Sequence, residues 1–89
     1  MILVSFEIYL HSKAHKYLKN LDKRTYEGIL DKITNLAKNP FPSDAKRVVG
    51  RKEKVFRIRF GKYRILYLFY LELNTVVIIN IDKRSRIYR

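Results

Sequence analysis

Residues 55–67 read VFRIRFGKYRILY, two runs of alternating side chains joined by Gly61 and Lys62. A Gly-X pair between two such runs is typical of a two-residue hairpin with a type II′ turn. Because that turn fixes the pairing, Arg59 should lie opposite Arg64 and share its face of the sheet. The predicted hairpin therefore has two unlike faces. The apolar face carries Phe56, Ile58, Phe60, Tyr63, Ile65 and Tyr67, and the other carries Arg57, Arg59 and Arg64.

The rest of the chain surrounds this hairpin with elements that predict an α+β fold. Apolar residues at helical spacing predict two adjacent helices, the first capped by Ser12 and the second capped by Asp22 and stopped by Asn39-Pro40. Short links indicate antiparallel pairing of the last four strands, since parallel pairs need crossovers of about a dozen residues or more. We expect a single domain over residues 1–89, with an N-terminal strand, a two-helix hairpin and an antiparallel four-strand meander. The predicted strands are Ile2–Tyr9, Ala45–Val49, Val55–Phe60, Tyr63–Tyr70 and Thr75–Asp82.

The charge of the chain is concentrated in two segments. Twenty Lys and Arg oppose eight Asp and Glu, which gives a net charge of +12. Residues 46–64 hold nine bases and one acid, and residues 83–89 hold four bases and no acid, so these two segments account for the whole excess. Such an asymmetry favours a polyanionic partner, either nucleic acid or an acidic protein. The candidate contacts to an RNA backbone are Lys46, Arg47, Arg51, Lys52, Lys54, Lys62 and Arg86.

The composition also excludes several classes of site. The chain has no cysteine, which removes disulfides, thiol nucleophiles and cysteine zinc sites. His11 and His15 have i, i+4 spacing but no third ligand nearby, and no glycine-rich phosphate loop is present, so we expect no metal and no other cofactor. The N-terminal run lacks the features of a signal peptide, and no apolar stretch reaches the ~18 residues that span a bilayer. We therefore expect a soluble cytoplasmic protein without a membrane contact.

The arginine face of the hairpin is a candidate phosphate site. Three guanidinium groups converge there from two paired strands, and arginine forks bind phosphate oxygens in a bidentate way. Directly opposed like charges, such as Arg59 and Arg64, cost a sheet roughly 0.2–1 kcal/mol. Replacement of Arg64 by glutamine should then stabilise the free protein slightly. The alternative is that these side chains extend into water and stack on neighbouring aromatic rings.

The C-terminal segment offers a candidate general base. Tyr88 lies among Lys83, Arg84, Arg86 and Arg89, and nearby positive charges favour the phenolate and lower a pKa that starts near ~10. The alternative is that Tyr88 packs its ring on the sheet. The residues alone leave both interpretations open.

Three sequence features together resemble the RelE branch of the RelE/ParE toxin superfamily. They are the hairpin segment 55–67, the preceding run Lys46-Arg-Val-Val-Gly50 and the C-terminal pattern Lys83-Arg84-x-x-x-Tyr88. The resemblance covers essentially the whole chain and implies a toxin of a type II toxin–antitoxin pair that cleaves messenger RNA in the ribosomal A site. It implies that Arg57 and Arg59 hold the scissile phosphate, with Arg64, Arg84 and Tyr88 at the family's other functional positions.

The implied mechanism uses the RNA's own 2′-hydroxyl as the nucleophile and needs no metal. Tyr88 would accept its proton, the three hairpin arginines would stabilise the transition state, and Lys83 or Arg84 would stabilise the leaving oxygen. The implied partners are the ribosome with its mRNA and an acidic, RelB-like antitoxin, and a heterotetramer with the antitoxin is one assembly this allows. Two rival functions remain open: a ParE-like gyrase inhibitor on the same fold and a non-catalytic RNA-binding module.

Overall fold

A computed structural model of the protein describes residues 5–83. It confirms the α+β class and the order of one strand, two helices and four strands. Neither described helix is long and apolar enough to cross a membrane. The elements are β1 (Glu7–Leu10), α1 (Ser12–Lys19), α2 (Lys23–Asn35), β2 (Lys46–Arg47), β3 (Val55–Phe60), β4 (Tyr63–Tyr70) and β5 (Thr75–Lys83).

The strands form one five-stranded sheet in the order β1-β5-β4-β3-β2. The last four strands pair antiparallel, as their short links predict. β1 joins the other edge in parallel, from Glu7 opposite Thr75 to Leu10 opposite Ile78, which makes the sheet mixed. β2 is shorter than predicted, because only Lys46 and Arg47 of the expected segment 45–49 pair with β3.

The central hairpin has the predicted register. Phe60 lies opposite Tyr63, and Arg59 lies opposite Arg64. Gly61 has a φ of +58°, the positive value that the first central residue of a type II′ turn requires. The sequence-based assignment of the two faces of the hairpin is therefore confirmed.

The helix boundaries differ from the predicted ones at two points. The N-cap of α1 is His11 and not the predicted Ser12. The Nδ1 atom of His11 accepts a hydrogen bond from the backbone N–H of Lys13 at 3.1 Å. The reason is tertiary: the N–H of His11 donates to the carbonyl of Ile78, which keeps His11 extended at the end of β1. Asp22 caps α2 as predicted, but α2 ends at Asn35, because the following residues form tighter i to i−3 bonds.

The core lies between the two helices and the apolar face of the sheet. Its members include Ala14 and Leu18 from α1, Ile29 and Ile33 from α2, and Ile58, Ile65 and Tyr67 from the hairpin. Gly28 brings α2 close to the end of β3, because a Cβ atom there would lie 2.1 Å from Cζ of Phe60. With the helices on one face, the arginine face is the side of the sheet that they leave open.

Candidate nucleic-acid interface

A row of charged residues crosses three strands on the arginine face. Arg59 of β3 lies opposite Arg64 of β4, and Arg64 in turn lies opposite Asp82 of β5. The charge therefore changes from positive at Arg64 to negative at Asp82, and this neighbour of Arg64 was not predicted from the sequence. An opposite charge beside Arg64 offsets its repulsion by Arg59.

A β-bulge in β5 brings Asp82 into this row. Leu66 of β4 lies opposite Asn80, but the next residue, Tyr67, lies opposite Ile78. Ile79 is therefore the extra residue of the bulge. Without that extra residue, the register of the first half of β5 would place Ile81 opposite Arg64. The bulge thus turns Ile81 into the core and places Asn80 and Asp82 on the arginine face.

The arginines of the row are held more firmly than surface side chains. Arg64 is only 5% exposed, and Arg57 and Arg59 are half-buried. The Nε atom of Arg59 and the Nε and Nη1 atoms of Arg64 are buried. The alternative in which these side chains extend into water is therefore wrong for Arg64. A guanidinium held in this way needs little rearrangement to meet a charge that develops beside it.

Asp44, in the loop before β2, fixes the backbone of β3 at Arg59. Its Oδ2 accepts hydrogen bonds from the backbone N–H of Arg59 at 3.4 Å and from Nζ of Lys32 at 3.2 Å. Burial raises the pKa of the Asp44 carboxyl, but these two hydrogen bonds outweigh burial, and the pKa lies below its usual value. Asp44 therefore links α2 to the strand that carries Arg59. Sequence reasoning missed it; the available signal was a single acid directly before the basic segment 46–64.

Replacement of Asp44 by alanine should lower the free energy of unfolding by about 1 kcal/mol at pH 7. The carboxylate side chain is 43% exposed, and solvent screening keeps the effect this small. Because the folded pKa is lowered, the contribution is complete above the unfolded pKa of about 4 and is lost as the pH falls through the folded value. Urea unfolding at pH 7 and pH 3 checks this. The control is Asp31→Ala, which removes an exposed carboxylate from α2; equal losses in both variants would contradict the role of Asp44.

The predicted RNA-binding residues within the described chain, which leaves out Arg86, are distributed around the edge of the sheet. Lys46 lies opposite Arg57 and extends the arginine face, whereas Arg47 lies opposite Phe56 on the other side. The remaining ones are exposed in the loop between β2 and β3 and in the hairpin turn: Arg51, Lys52, Lys54 and Lys62. The structure therefore unites Lys46 with Arg57, Arg59 and Arg64 and places the others at its margin.

The predicted C-terminal site residues are only partly within the described chain. Lys83 is exposed at the end of β5, opposite Tyr63, so it lies on the helix side of the sheet and outside the arginine row. Arg84, Arg86 and Tyr88 lie outside the described residues. Within residues 5–83, no three His, Asp or Glu side chains lie close enough together to hold a metal ion.

Comparison with known proteins assigns the chain to a family. A family model described as the ParE toxin of the type II toxin–antitoxin system parDE matches residues 8–88. The chain belongs to the RelE/ParE toxin superfamily. It is 30% identical to a Methanocaldococcus jannaschii protein named as the toxin RelE1, over 97% of this chain and 98% of that protein. The similarity to RelE toxins makes this chain a RelE-like type II toxin.

Solved structures of RelE toxins share the fold. The RelBE2 toxin–antitoxin complex of Mycobacterium tuberculosis matches with a TM-score of 0.78 and 27% identity, over 94% of this chain and 97% of that one. The RelE–RelB complex of Pyrococcus horikoshii matches with a TM-score of 0.81 and 24% identity, over 92% and 98% of the two chains. The RelE-like fold expected from the sequence is confirmed.

Proposed function

We propose that this RelE-like toxin is a ribosome-dependent endoribonuclease that cleaves mRNA in the A site. The observation that carries the proposal is the arginine row, in which Arg59 and the nearly buried Arg64 lie side by side on the sheet face opposite the helices. Arg57 and Lys46 extend the same face. Several fixed cations on one surface suit a phosphate whose charge increases during the reaction.

In this proposal the nucleophile comes from the RNA. The 2′-oxygen attacks the adjacent phosphorus, its proton passes to the phenolate of Tyr88, and the bond from phosphorus to the 5′-oxygen breaks. Arg57, Arg59 and Arg64 stabilise the negative charge on the phosphorane-like transition state. Of the two cations expected at the leaving oxygen, Lys83 lies on the helix side of the sheet, so the proposal assigns this role to Arg84, and the leaving oxygen takes its proton from water. The products are a 2′,3′-cyclic phosphate and a 5′-hydroxyl, and no metal or other cofactor takes part.

A second candidate function is inhibition of gyrase by protein binding. The match to a family model described as the ParE toxin favours it. An inhibitor that acts by binding alone needs no general base, so a catalytic role of Tyr88 would argue against it. A third candidate, an RNA-binding module without catalysis, would use the same arginines, and only Tyr88 as a general base separates the nuclease from it.

Purified protein should cleave a defined mRNA on programmed ribosomes and leave the same RNA nearly intact in free solution. The reason is that the site holds few tuned acid–base groups among its named residues and depends on an RNA already positioned by the ribosome. Toeprinting during in vitro translation measures this. Cuts in the A site support the nuclease, whereas blocked translation without cuts supports a binding module. Cleavage at an equal rate without ribosomes would overturn the proposal. Inhibition of the DNA supercoiling activity of gyrase, with no cleavage of RNA, would also overturn it.

The proposed partner that controls this activity is an acidic, RelB-like antitoxin. Two of the similar structures are complexes with RelB antitoxins. The far end of the arginine face is apolar: Tyr9 and Tyr70 are exposed on it, and Leu71 and Leu73 are exposed in the turn between β4 and β5. A surface with a basic end and an apolar end suits a helix with one acidic and one apolar face.

Coexpression with a cognate RelB-like antitoxin should therefore give a stable complex in the cytoplasm, with a heterotetramer as one expected assembly. In that complex the ribosomal cleavage should disappear, because carboxylates would cover residues 46–64. Co-purification and size-exclusion chromatography measure the assembly. High expression of the toxin alone without loss of growth would contradict both the toxicity and the need for this partner.

A further inference from the structure

A cleft of about 460 Å³ lies between α1 and the last residues of β5. It exists because β1 ends at Leu10, opposite Ile78, and α1 follows at once. From Ile79 onward, α1 replaces a strand as the neighbour of β5 on that side within the described chain. The cleft is lined by Lys13, Tyr17, Asn80, Ile81, Asp82 and Lys83.

The lining side chains have the chemistry of a nucleotide site. Lys13 and Lys83 are exposed cations that can meet a phosphate. Tyr17 is partly buried and packs edge-to-face on Tyr63, with ring centroids 6.4 Å apart, so its ring is held in place. An amide at Asn80 supplies both donors and an acceptor for the edge of a base. Proteins that bind unpaired RNA combine these elements: cations for the backbone, a ring for stacking and polar groups for the base.

The cleft and the arginine row share one residue. Asp82 lines the cleft and also lies opposite Arg64 in the sheet. The bulge at Ile79 produces this arrangement, because it places Asn80 and Asp82 together on the arginine face. An RNA strand with its phosphate at Arg59 and Arg64 would therefore have a neighbouring nucleotide beside this cleft.

We propose that the cleft binds one nucleotide next to the scissile phosphate and determines the base preference of cleavage. The inference rests on the proposed ribonuclease function and adds to it a specificity site. The base lies against the ring of Tyr17, its edge meets Asn80 and Asp82, and its phosphate meets Lys13 and Lys83. The cleft also borders the part of β5 beyond Ile78, which pairs with no described strand on that side and where an extended peptide could add one, but the two lysines at its rim favour a phosphate-bearing ligand.

Binding can be tested without any cleavage, by titrating the full-length chain with the four nucleoside 5′-monophosphates under NMR observation. We expect saturable shifts at Lys13, Tyr17 and residues 80–83, with one base bound about tenfold more tightly than the weakest. Lys13→Ala should weaken binding of all four, and Asn80→Ala should remove the difference between them. The control Lys38→Ala removes an exposed lysine from the turn that follows α2 and should change neither. Equal affinity for all four bases, or shifts confined to residues 46–64, would overturn the proposal.

A second measurement separates this proposal from the proposed function. On ribosomes, Asn80→Ala should redistribute the cuts among codons, whereas Lys38→Ala should leave their distribution unchanged. An unchanged distribution for Asn80→Ala, with its amide spectrum showing a folded protein, would overturn the specificity site even if the toxin cleaves RNA. Conversely, a toxin that cuts no RNA but binds one nucleotide selectively at Tyr17 would refute the nuclease and keep the cleft as a nucleotide site. Strand addition would instead appear as shifts on β5 with an acidic peptide and none with nucleotides, which also overturns the proposal.

Discussion

Replacement of Tyr88 by phenylalanine should lower the rate of mRNA cleavage on programmed ribosomes by roughly 10²–10⁴, the range for loss of a general base. The change removes only the hydroxyl oxygen, so binding of the RNA and of the ribosome should persist. Single-turnover cleavage of a ribosome-bound message measures the rate, and co-sedimentation with ribosomes measures binding. Within this proposal the proton of the 2′-hydroxyl then has no acceptor in the site.

The matched control is Tyr26→Phe, which removes a hydroxyl from an exposed ring on α2, on the helix side of the sheet. Its cleavage rate should equal that of the unmodified protein. A Tyr88→Phe variant that cleaves as fast as this control would show that Tyr88 is a packing residue and that the base lies elsewhere.

Two described tyrosines are poorly suited to act as the base. Burial, followed by the charge of Asp44, raises the pKa of Tyr67, whose hydroxyl donates to the carbonyl of Pro40 at 2.5 Å. Tyr9 donates to Glu7 at 3.0 Å, and that hydrogen bond with the adjacent charge raises the pKa of Tyr9. Both phenols therefore hold their protons more tightly than a free tyrosine. The proposal for Tyr88 is the reverse: the cations next to it in the sequence would favour the phenolate.

The features that could be predicted from the sequence are those set by local chain geometry. Gly61 and Lys62 determine the turn, the turn determines the pairing of β3 with β4, and the pairing determines which side chains share the arginine face. Asp22 capped α2 as expected for the same reason, since a cap involves residues only three apart.

The features that could not be predicted depend on residues far apart in the chain. The bulge at Ile79 has no marker in the sequence such as glycine, yet it decides that Asp82 and not Ile81 lies beside Arg64. The N-cap at His11 depends on a hydrogen bond to Ile78, and the role of Asp44 depends on its approach to Arg59. Charge counting therefore located the candidate site but missed the acids that complete it.

Asp82 reverses the effect on stability that is expected of Arg64→Gln. From the hairpin alone, removal of one of two opposed arginines should stabilise the protein. In the structure, glutamine also loses the attraction of Arg64 to Asp82, which is comparable in size to the repulsion by Arg59. The variant also loses packing contacts, because Arg64 is only 5% exposed. We expect the free energy of unfolding to fall by about 1 kcal/mol, and cleavage on ribosomes to fall roughly 10–10³-fold, since one donor to the transition state is lost.

A double-mutant cycle with Asp82→Asn separates these contributions to the stability of the sheet. With Asp82 neutralised, Arg64→Gln removes only the repulsion by Arg59 and the packing, so its cost should be smaller than in the unmodified protein, most clearly at low salt. Denaturant curves at low and high salt give all four free energies of unfolding. If Arg64→Gln stabilises the unmodified protein at low salt, the repulsion between Arg59 and Arg64 dominates and Asp82 does not offset it. If the variant instead loses stability but cleaves at the normal rate, Arg64 serves the sheet alone, and the phosphate must be held by Arg57 and Arg59.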